Sequence, residues 1–495
     1  MKRSSIDIGG AARKLLRLMA LGATLALLAA AADPAQALPL FKRQTGQDCS
    51  ACHAGGQFPE LTPYGRLFKL LGYTLGQRAI PLSVMALGSV SRVANTSKSP
   101  DPHEDFQKDG SPIFATASLF LGGKLTDHVG GFAQVTYDPY ASLGADGSFH
   151  GHSNADNIDL RYANTVGDGN RSLVFGLSLN NNPSVADPWN TAAAWMQYVP
   201  VPSPTSSRFV DGNAPYPGFA AGGNVAGLSA YAFWNDTLYA ELGAYGTSRG
   251  LWSFTSAGLA PEDTTQFSGV SPYLRVAWNH DWGAHSLMLG AARMSSRIYD
   301  DPLATSDPST VHRFTDWSVD GQYQYLADAN ALTAQLVYEH SRHRYPDFLA
   351  AQPVAFVDAM GGPLPATNAV DDTNLLRAKL TYVYHAHYGG SIGFFDLTGS
   401  TDTALQTSGY DPGTLAIVSD PSAQAASVPV DGNLSGNPGT RGLTYEVFWT
   451  PVQNLRVGAQ YTAYSRFNGA SRNYDGFGRD ARDNDTLFLY LWAAY

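Results

Sequence analysis

Leu443-Thr444-Tyr445-Glu446-Val447-Phe448-Trp449 puts a lipid-compatible side chain at every odd position. A period of two is the period of a β-strand, whose successive side chains point to opposite faces. Working outward, the same alternation recurs. Leu455, Val457, Ala459, Tyr461 and Ala463 have Arg456, Gln460 and Thr462 between them. Leu376, Ala378, Leu380 and Tyr382 enclose Arg377, Lys379 and Thr381, and Leu332, Ala334, Leu336 and Tyr338 enclose Thr333, Gln335 and Glu339. A soluble β-sandwich also alternates, but its enclosed face does not normally carry Arg, Lys and Glu on strand after strand. A barrel with an apolar outside and a polar lumen does.

Connection lengths sharpen this. Short turns fall near Thr126-Asp127, Gly167 to Gly169, Asn235-Asp236, His280-Asp281, Ala327-Asp328, His385 to His387 and Pro451 to Asn454. Between them lie long polar or Pro/Gly-rich stretches near 94–111, 140–154, 181–222, 248–267, 298–312, 342–370, 399–440 and 467–481. Short and long alternate strictly, as periplasmic turns and extracellular loops do. The fold expected is all-β, a roughly 16-stranded antiparallel outer-membrane β-barrel over residues 80–495. The stretch 181–222 has an apolar centre (Trp189, Trp195, Met196, Tyr198) and either folds inward as a constriction or stays on the surface. The strand at 285–297 is ambiguous in facing, with Leu287, Leu289 and Arg293 on one parity and Met288 and Met294 on the other. The end of the chain, Leu487 to Tyr495, alternates and finishes on an aromatic residue, which looks like the assembly signal of bacterial outer-membrane barrels.

Composition agrees. Of 495 residues 44% are hydrophobic, 12% aromatic and only 15% charged, with 50 Gly and 26 Tyr. A mean hydropathy of -0.17 is too low for a bundle of membrane helices. A net charge of -10 argues against nucleic-acid binding. The N-terminus reads as a signal peptide over residues 1–37: Lys2, Arg3, Arg13, Lys14 and Arg17, then an apolar run from Leu18 to Ala32, then Ala35-Gln36-Ala37. Five of the 32 basic and two of the 42 acidic residues lie in that leader, so the remainder is near -13.

Between leader and barrel, residues 38–79 carry the chemistry. Both cysteines of the protein stand in Cys49-Ser50-Ala51-Cys52-His53. C-x-x-C-H spaces two thiols to add to the two vinyl groups of haem and puts the next imidazole on the iron. A thioredoxin-type redox pair needs a βαβ unit, which this sequence lacks, and a structural zinc site needs further ligands at short spacing. The expectation is therefore one covalently bound haem c, with Cys49 and Cys52 in thioether bonds and His53 as proximal ligand. Thr62-Pro63 reads as the start of a short helix with Tyr64, Leu67, Phe68 and Leu71 on one face and Gly72 at its stop. The sixth iron position is open to Met85, on the expected first strand, or to one of several histidines; Met85 facing lipid is the competing possibility.

Arg43-Gln44-Thr45-Gly46, Phe58-Pro59-Glu60-Leu61, Gly65-Arg66, Phe68-Lys69 and Gly72-Tyr73-Thr74 around the haem motif resemble the fused cytochrome–porins of iron-oxidising bacteria. The resemblance covers Pro39 to Gly76 and beyond that is one of architecture. It implies an outer-membrane cytochrome with Fe(II) oxidase activity, which takes electrons from extracellular Fe(II) and passes them to a periplasmic carrier such as a soluble cytochrome c. The alternative is a solute-diffusion porin whose haem-bearing segment is a sensor or plug. Asp101, His103, Glu104, Asp105 and Asp109, and Asp146, His150, His152 and Asp156, are two loop clusters able to gather cations; solvated loop polarity is the plainer reading of each.

Overall fold

The computed structural model describes residues 39–56, 60–80, 82–95, 109–143, 149–168, 171–191, 224–299, 301–346, 368–402, 410–411, 416–417, 433–475 and 478–495. The leader at 1–37 lies outside them.

Sixteen antiparallel strands close into one barrel. In chain order they are β1 (Leu82–Val93), β2 (Pro112–Lys124), β3 (Val129–Leu143), β4 (Phe149–Asp168), β5 (Arg171–Asn180), β6 (Ala226–Trp234), β7 (Leu238–Gly246) and β8 (Ser271–Trp282). There follow β9 (His285–Tyr299), β10 (Val311–Ala327), β11 (Asn330–Arg344), β12 (Val370–Tyr384), β13 (Tyr388–Gly399), β14 (Thr440–Val452), β15 (Leu455–Arg466) and β16 (Thr486–Ala494). Each strand pairs with its sequence neighbours, and β1 closes the ring on β16 from Met85↔Ala494 to Val93↔Thr486. Closure leaves no edge strand, the condition for β-structure in lipid. A separate two-stranded ribbon, Tyr410–Asp411 with Ala416–Ile417, lies outside the ring.

The alternation read from the sequence is the inside–outside alternation of the wall. On β14, Leu443, Tyr445, Val447 and Trp449 are exposed outward while Thr444 and Thr450 are buried inward. On β15, Val457 and Tyr461 face out and Arg456, Gln460 and Thr462 face in. The outer surface adds Leu160, Leu177, Leu242, Val276, Leu289, Leu336 and Ile392, and Trp234, Trp282, Tyr384, Tyr388 and Trp449 gather beside the short turns. This is the apolar band and aromatic girdle of a membrane-spanning barrel. On β9 the ambiguity resolves toward an inward Met288 and Met294, 1% and 0% exposed, with Leu289 on the outside.

One sequence expectation needs correction. The stretch 140–154 is not a long loop: β3 runs to Leu143 and β4 starts at Phe149. Polar residues there alternate without an apolar run, so a composition-based reading takes extended strand for loop. The short helix beyond Thr62 buries Arg66 and Lys69 along with Phe68, so its burial is not confined to the apolar stripe.

Candidate functional site

Residues 39–76 lie inside the barrel, in the half of the lumen next to the short turns. Helix α1 (Pro39–Thr45) leads into α2 (Cys49–Cys52), a single turn, and α3 (Pro63–Leu70) follows a bend. Three residues apart on one helical turn, Cys49 and Cys52 share a face. His53 leaves that turn in extended conformation, its amide donating to Cys49 O at 2.8 Å. It forms an antiparallel bridge with Leu61, which doubles the chain back. Thr62 then caps α3: Gly65 N donates to its Oγ1 at 3.1 Å, with Pro63 in the first turn. Thr62 Oγ1 also donates to Ala51 O at 2.5 Å, tying the cap to the cysteine turn. Thr62→Ala removes both bonds, at a cost of about 1 kcal/mol for the cap alone. Gly65 is required by close approach, since a Cβ there would meet Cys52 O at 2.1 Å.

The barrel wall holds this segment by polar contacts on several sides. Arg66 donates to Asp281 (3.2 Å), Ser286 (2.7 Å) and Gln324 (3.1 Å). Glu60, 2% exposed, pairs with Lys379 at 3.1 Å. Breaking such a buried pair from one side costs about 3–5 kcal/mol, because the remaining charge is stranded. Tyr73 donates to Asp159 at 2.6 Å, Tyr231 donates to Leu70 O at 2.5 Å, and Gln44 accepts from Lys124 N at 3.0 Å. Arg66 and Lys69 are therefore buried although the sequence puts them on a polar helix face. Burial lowers the Arg66 pKa to about 10 and that of Lys69 to about 8.

The described part of the stretch 181–222 turns inward and meets the segment. Helix α4 (Pro183–Ala186) is capped by Asn182, and Trp189, fully buried, packs with Leu70, Tyr231, Phe233, Tyr239 and Met288. Arg275 fixes the fold-in through Asp187 (3.2 Å) and Asp320 (2.8 Å). Lys69 Nζ donates to Asp187 O (2.7 Å) and Asn190 Oδ1 (2.8 Å). Trp195, Met196 and Tyr198 lie outside the described residues.

Between segment, loop and wall is a cavity of about 520 Å³. Cys49, Cys52 and His53 line it, together with Met85, Leu87 and Trp492 of the wall. Phe41, Phe68, Tyr73, Phe120 and Phe132 form an aromatic side, Phe41 and Phe68 with ring centroids 5.0 Å apart and Phe120 and Phe132 at 5.9 Å. Gln134, Asn157, Asn182 and Asn190 make a polar margin. Met85 faces the lumen and not lipid, its Sδ accepting from Trp492 Nε1 at 3.2 Å. The thiols are not joined as a disulfide. Burial pushes the Cys52 thiol up to about 11, and desolvation at the cavity wall pushes the His53 imidazole down to about 4, so both are neutral at pH 7. Neutral imidazole is the form that ligates metal.

These residues fit a covalently attached haem: two thiols on one face, an imidazole beside them, apolar walls, and a volume within the roughly 300–1,000 Å³ of cofactor sites. The inward Phe488, Tyr490 and Trp492 of β16, with Leu87 and Ala115, make the wall beside Cys49 and Met85 apolar where a water-filled channel is polar.

No family model and no curated protein matches the chain. Among solved structures it is similar to OmpF of Salmonella typhi in complex with daunomycin, at 12% identity and a TM-score of 0.43, covering 84% of this chain and 97% of that one. It is also similar to OprB of Pseudomonas putida (11%, TM-score 0.42, 87% and 96%) and to the channel DcaP of Acinetobacter baumannii (11%, 0.41, 84% and 96%).

Among the described residues the two loop clusters are not brought together as the C-x-x-C-H residues are. Asp101, His103, Glu104, Asp105 and Asp146 lie outside the described residues. Asp109 accepts from Val93 N at 2.7 Å, and His152, on strand β4, bonds to Gly258 O. Asp156 accepts from Thr136 at 2.8 Å and lines the cavity. The inward fold of the stretch 181–222 is one of the two alternatives its apolar centre left open; what the sequence missed is that Asn182 and Asn190 join the site from over a hundred positions away.

Proposed function

We propose that this chain is an outer-membrane barrel carrying one haem c in the short-turn end of its lumen, bound through Cys49 and Cys52 and ligated by His53. In this reading it moves electrons from extracellular Fe(II) to a periplasmic carrier such as a soluble cytochrome c. The observation that supports it is the placement of Cys49, Cys52 and His53 together on a mostly apolar cavity inside the barrel.

Bound there, a haem exchanges one electron at a time. The chain's own residues do the rest. Cys49 and Cys52 fix the attachment edge, and the Thr62 and Gly65 contacts hold α3 against that turn. Glu60, Arg66 and Tyr73 lock the segment to the wall, so its distance to either mouth of the barrel stays constant. An apolar band about 25 Å tall insulates the two sides, and a redox group inside the lumen divides that span. Outer-sphere oxidation of Fe(II) asks only for close approach, with no tight metal cage.

Stopped-flow mixing of the purified oxidised protein with Fe(II) should reduce the haem absorbance. No reduction at any pH tested removes Fe(II) as donor. Met85 lies in the cavity lining with its thioether held by Trp492, which supports it as the sixth ligand. Met85→Ala should then make the reduced protein bind carbon monoxide and lower its potential, since Met/His ligation raises potential. Carbon monoxide binding just as readily to the unaltered protein would rule Met85 out.

The second reading is a solute-diffusion porin with residues 39–76 as plug. Sixteen strands enclose a lumen wide enough for solutes, and this reading needs nothing beyond the barrel and what fills it.

A further inference from the structure

At the long-loop end of the lumen, away from residues 39–76, two imidazoles meet. His312 is the second residue of β10, and His343 the last but one of β11. Both are buried on the inward face, 7% and 8% exposed, with His343 Nε2 2.9 Å from His312 Nδ1. Phe314 stacks on His343 at 4.1 Å between centroids, and Tyr345 covers it at 3.9 Å and His312 at 5.1 Å. Phe314 and Tyr345 thus hold both imidazoles in place. Asp371, also buried, is the register partner of His343 on β12 and shares its inward face. The other ring nitrogen of His343 is buried with no hydrogen-bond partner among the described residues.

We propose that His312 and His343 form a binding site for a divalent transition-metal ion at the loop-side opening of the lumen. Imidazole is the ligand that suits iron, nickel, copper and zinc. With metal–nitrogen bonds of about 2.0–2.1 Å, nitrogens 2.9 Å apart subtend roughly 90° at the ion. That angle is the one between neighbouring positions of an octahedral or square-planar ion, and it is too narrow for a tetrahedral one. Among the described residues no group of three or more His, Cys, Asp or Glu is arranged to hold a metal ion, so water completes the shell and the ion exchanges readily. Asp371 supplies charge compensation beside it. This site stands whether or not haem is attached, since no residue of 39–76 takes part in it.

Cu(II) is the probe. Titrated into the purified full chain and followed by electron paramagnetic resonance, the first equivalent should couple to two nitrogens. His312→Asn keeps a hydrogen-bond acceptor for His343 but removes one ligand. His343→Phe removes the other and preserves the aromatic stack. Each should leave the heat-modifiable migration of the folded barrel intact and weaken binding by more than the ~10–100-fold that loss of a mere outer-shell partner costs. The same result is expected in the Cys49→Ser, Cys52→Ser chain, which keeps this test separate from the haem reading. Unchanged affinity and coupling in both variants overturn the site. Should a variant fail to fold, a first equivalent in the unaltered protein without two-nitrogen coupling overturns it equally.

Discussion

The Cys49→Ser, Cys52→Ser chain is expected to lose all covalently bound haem while still reaching the membrane as a folded barrel. Cys49 and Cys52 are the only thiols in the sequence, so no second thioether attachment point exists. Serine is nearly isosteric and sits where Cys49 and Cys52 are only half-buried, which keeps the packing of α2. The barrel is closed by sixteen strands in which neither cysteine takes part. A peroxidase-type haem stain on a denaturing gel reads the first outcome and heat-modifiable migration the second. Haem that remains on the variant after denaturation, or an unaltered protein that never stains, overturns the cofactor assignment. The single variants separate the two bonds: each should keep one thioether, and with it a stainable but shifted chromophore.

The barrel was the most legible part of this sequence, for a physical reason. Lipid outside and charge inside force a strict period of two on every strand, so Leu443 to Trp449 and Leu455 to Ala463 declare both faces at once. Met288 and Met294 did not, because methionine is acceptable on either side of the wall. Strand β4 was legible only in part. Its first half, His150 to Asp156, stands beyond the apolar band, where nothing demands an apolar residue at alternate places, and it therefore resembles a loop.

The site was half legible. C-x-x-C-H sets the expectation of a haem, and Thr62-Pro63 marks a helix start by capping alone. The orientation of α3 was hidden. Its stripe of Tyr64, Leu67, Phe68 and Leu71 suggests a helix lying on one surface, yet Arg66 and Lys69 are as buried as Phe68. Their partners Asp281, Gln324, Asp187 and Asn190 come from strands and a loop more than a hundred positions downstream, and no local pattern encodes that meeting. For the same reason Met85 was ambiguous between lipid and lumen. Its parity on β1 decides the matter, with Leu82 and Val84 exposed and Ser83 and Leu87 buried.

Removing residues 39–76 should open the barrel to small solutes. The segment and the inward loop share the lumen, joined by Lys69 to Asp187 and Asn190, and the segment reaches the wall through Glu60–Lys379, Arg66–Asp281 and Tyr73–Asp159. A chain with the leader fused directly to the barrel loses those contacts, but water entering the emptied lumen rehydrates Asp159, Arg161 and Lys379. The charges left behind are then solvated and not stranded, so the desolvation penalty that would unfold a dry core does not arise. Liposomes carrying the shortened chain should swell in sugar solutions, and those carrying the full chain should stay near the protein-free rate. Gly65→Val is the gentler test, because its Cβ would meet the Cys52 carbonyl and force α3 off the cysteine turn. It should raise swelling partway. With residues 39–76 in the lumen, as haem carrier or as plug, the full chain is expected to be tight to solutes or nearly so. If the full chain already swells liposomes as fast as the shortened one, the segment does not close the lumen. A solute-diffusion barrel with an open lumen is then the better account, and the plug role of residues 39–76 falls.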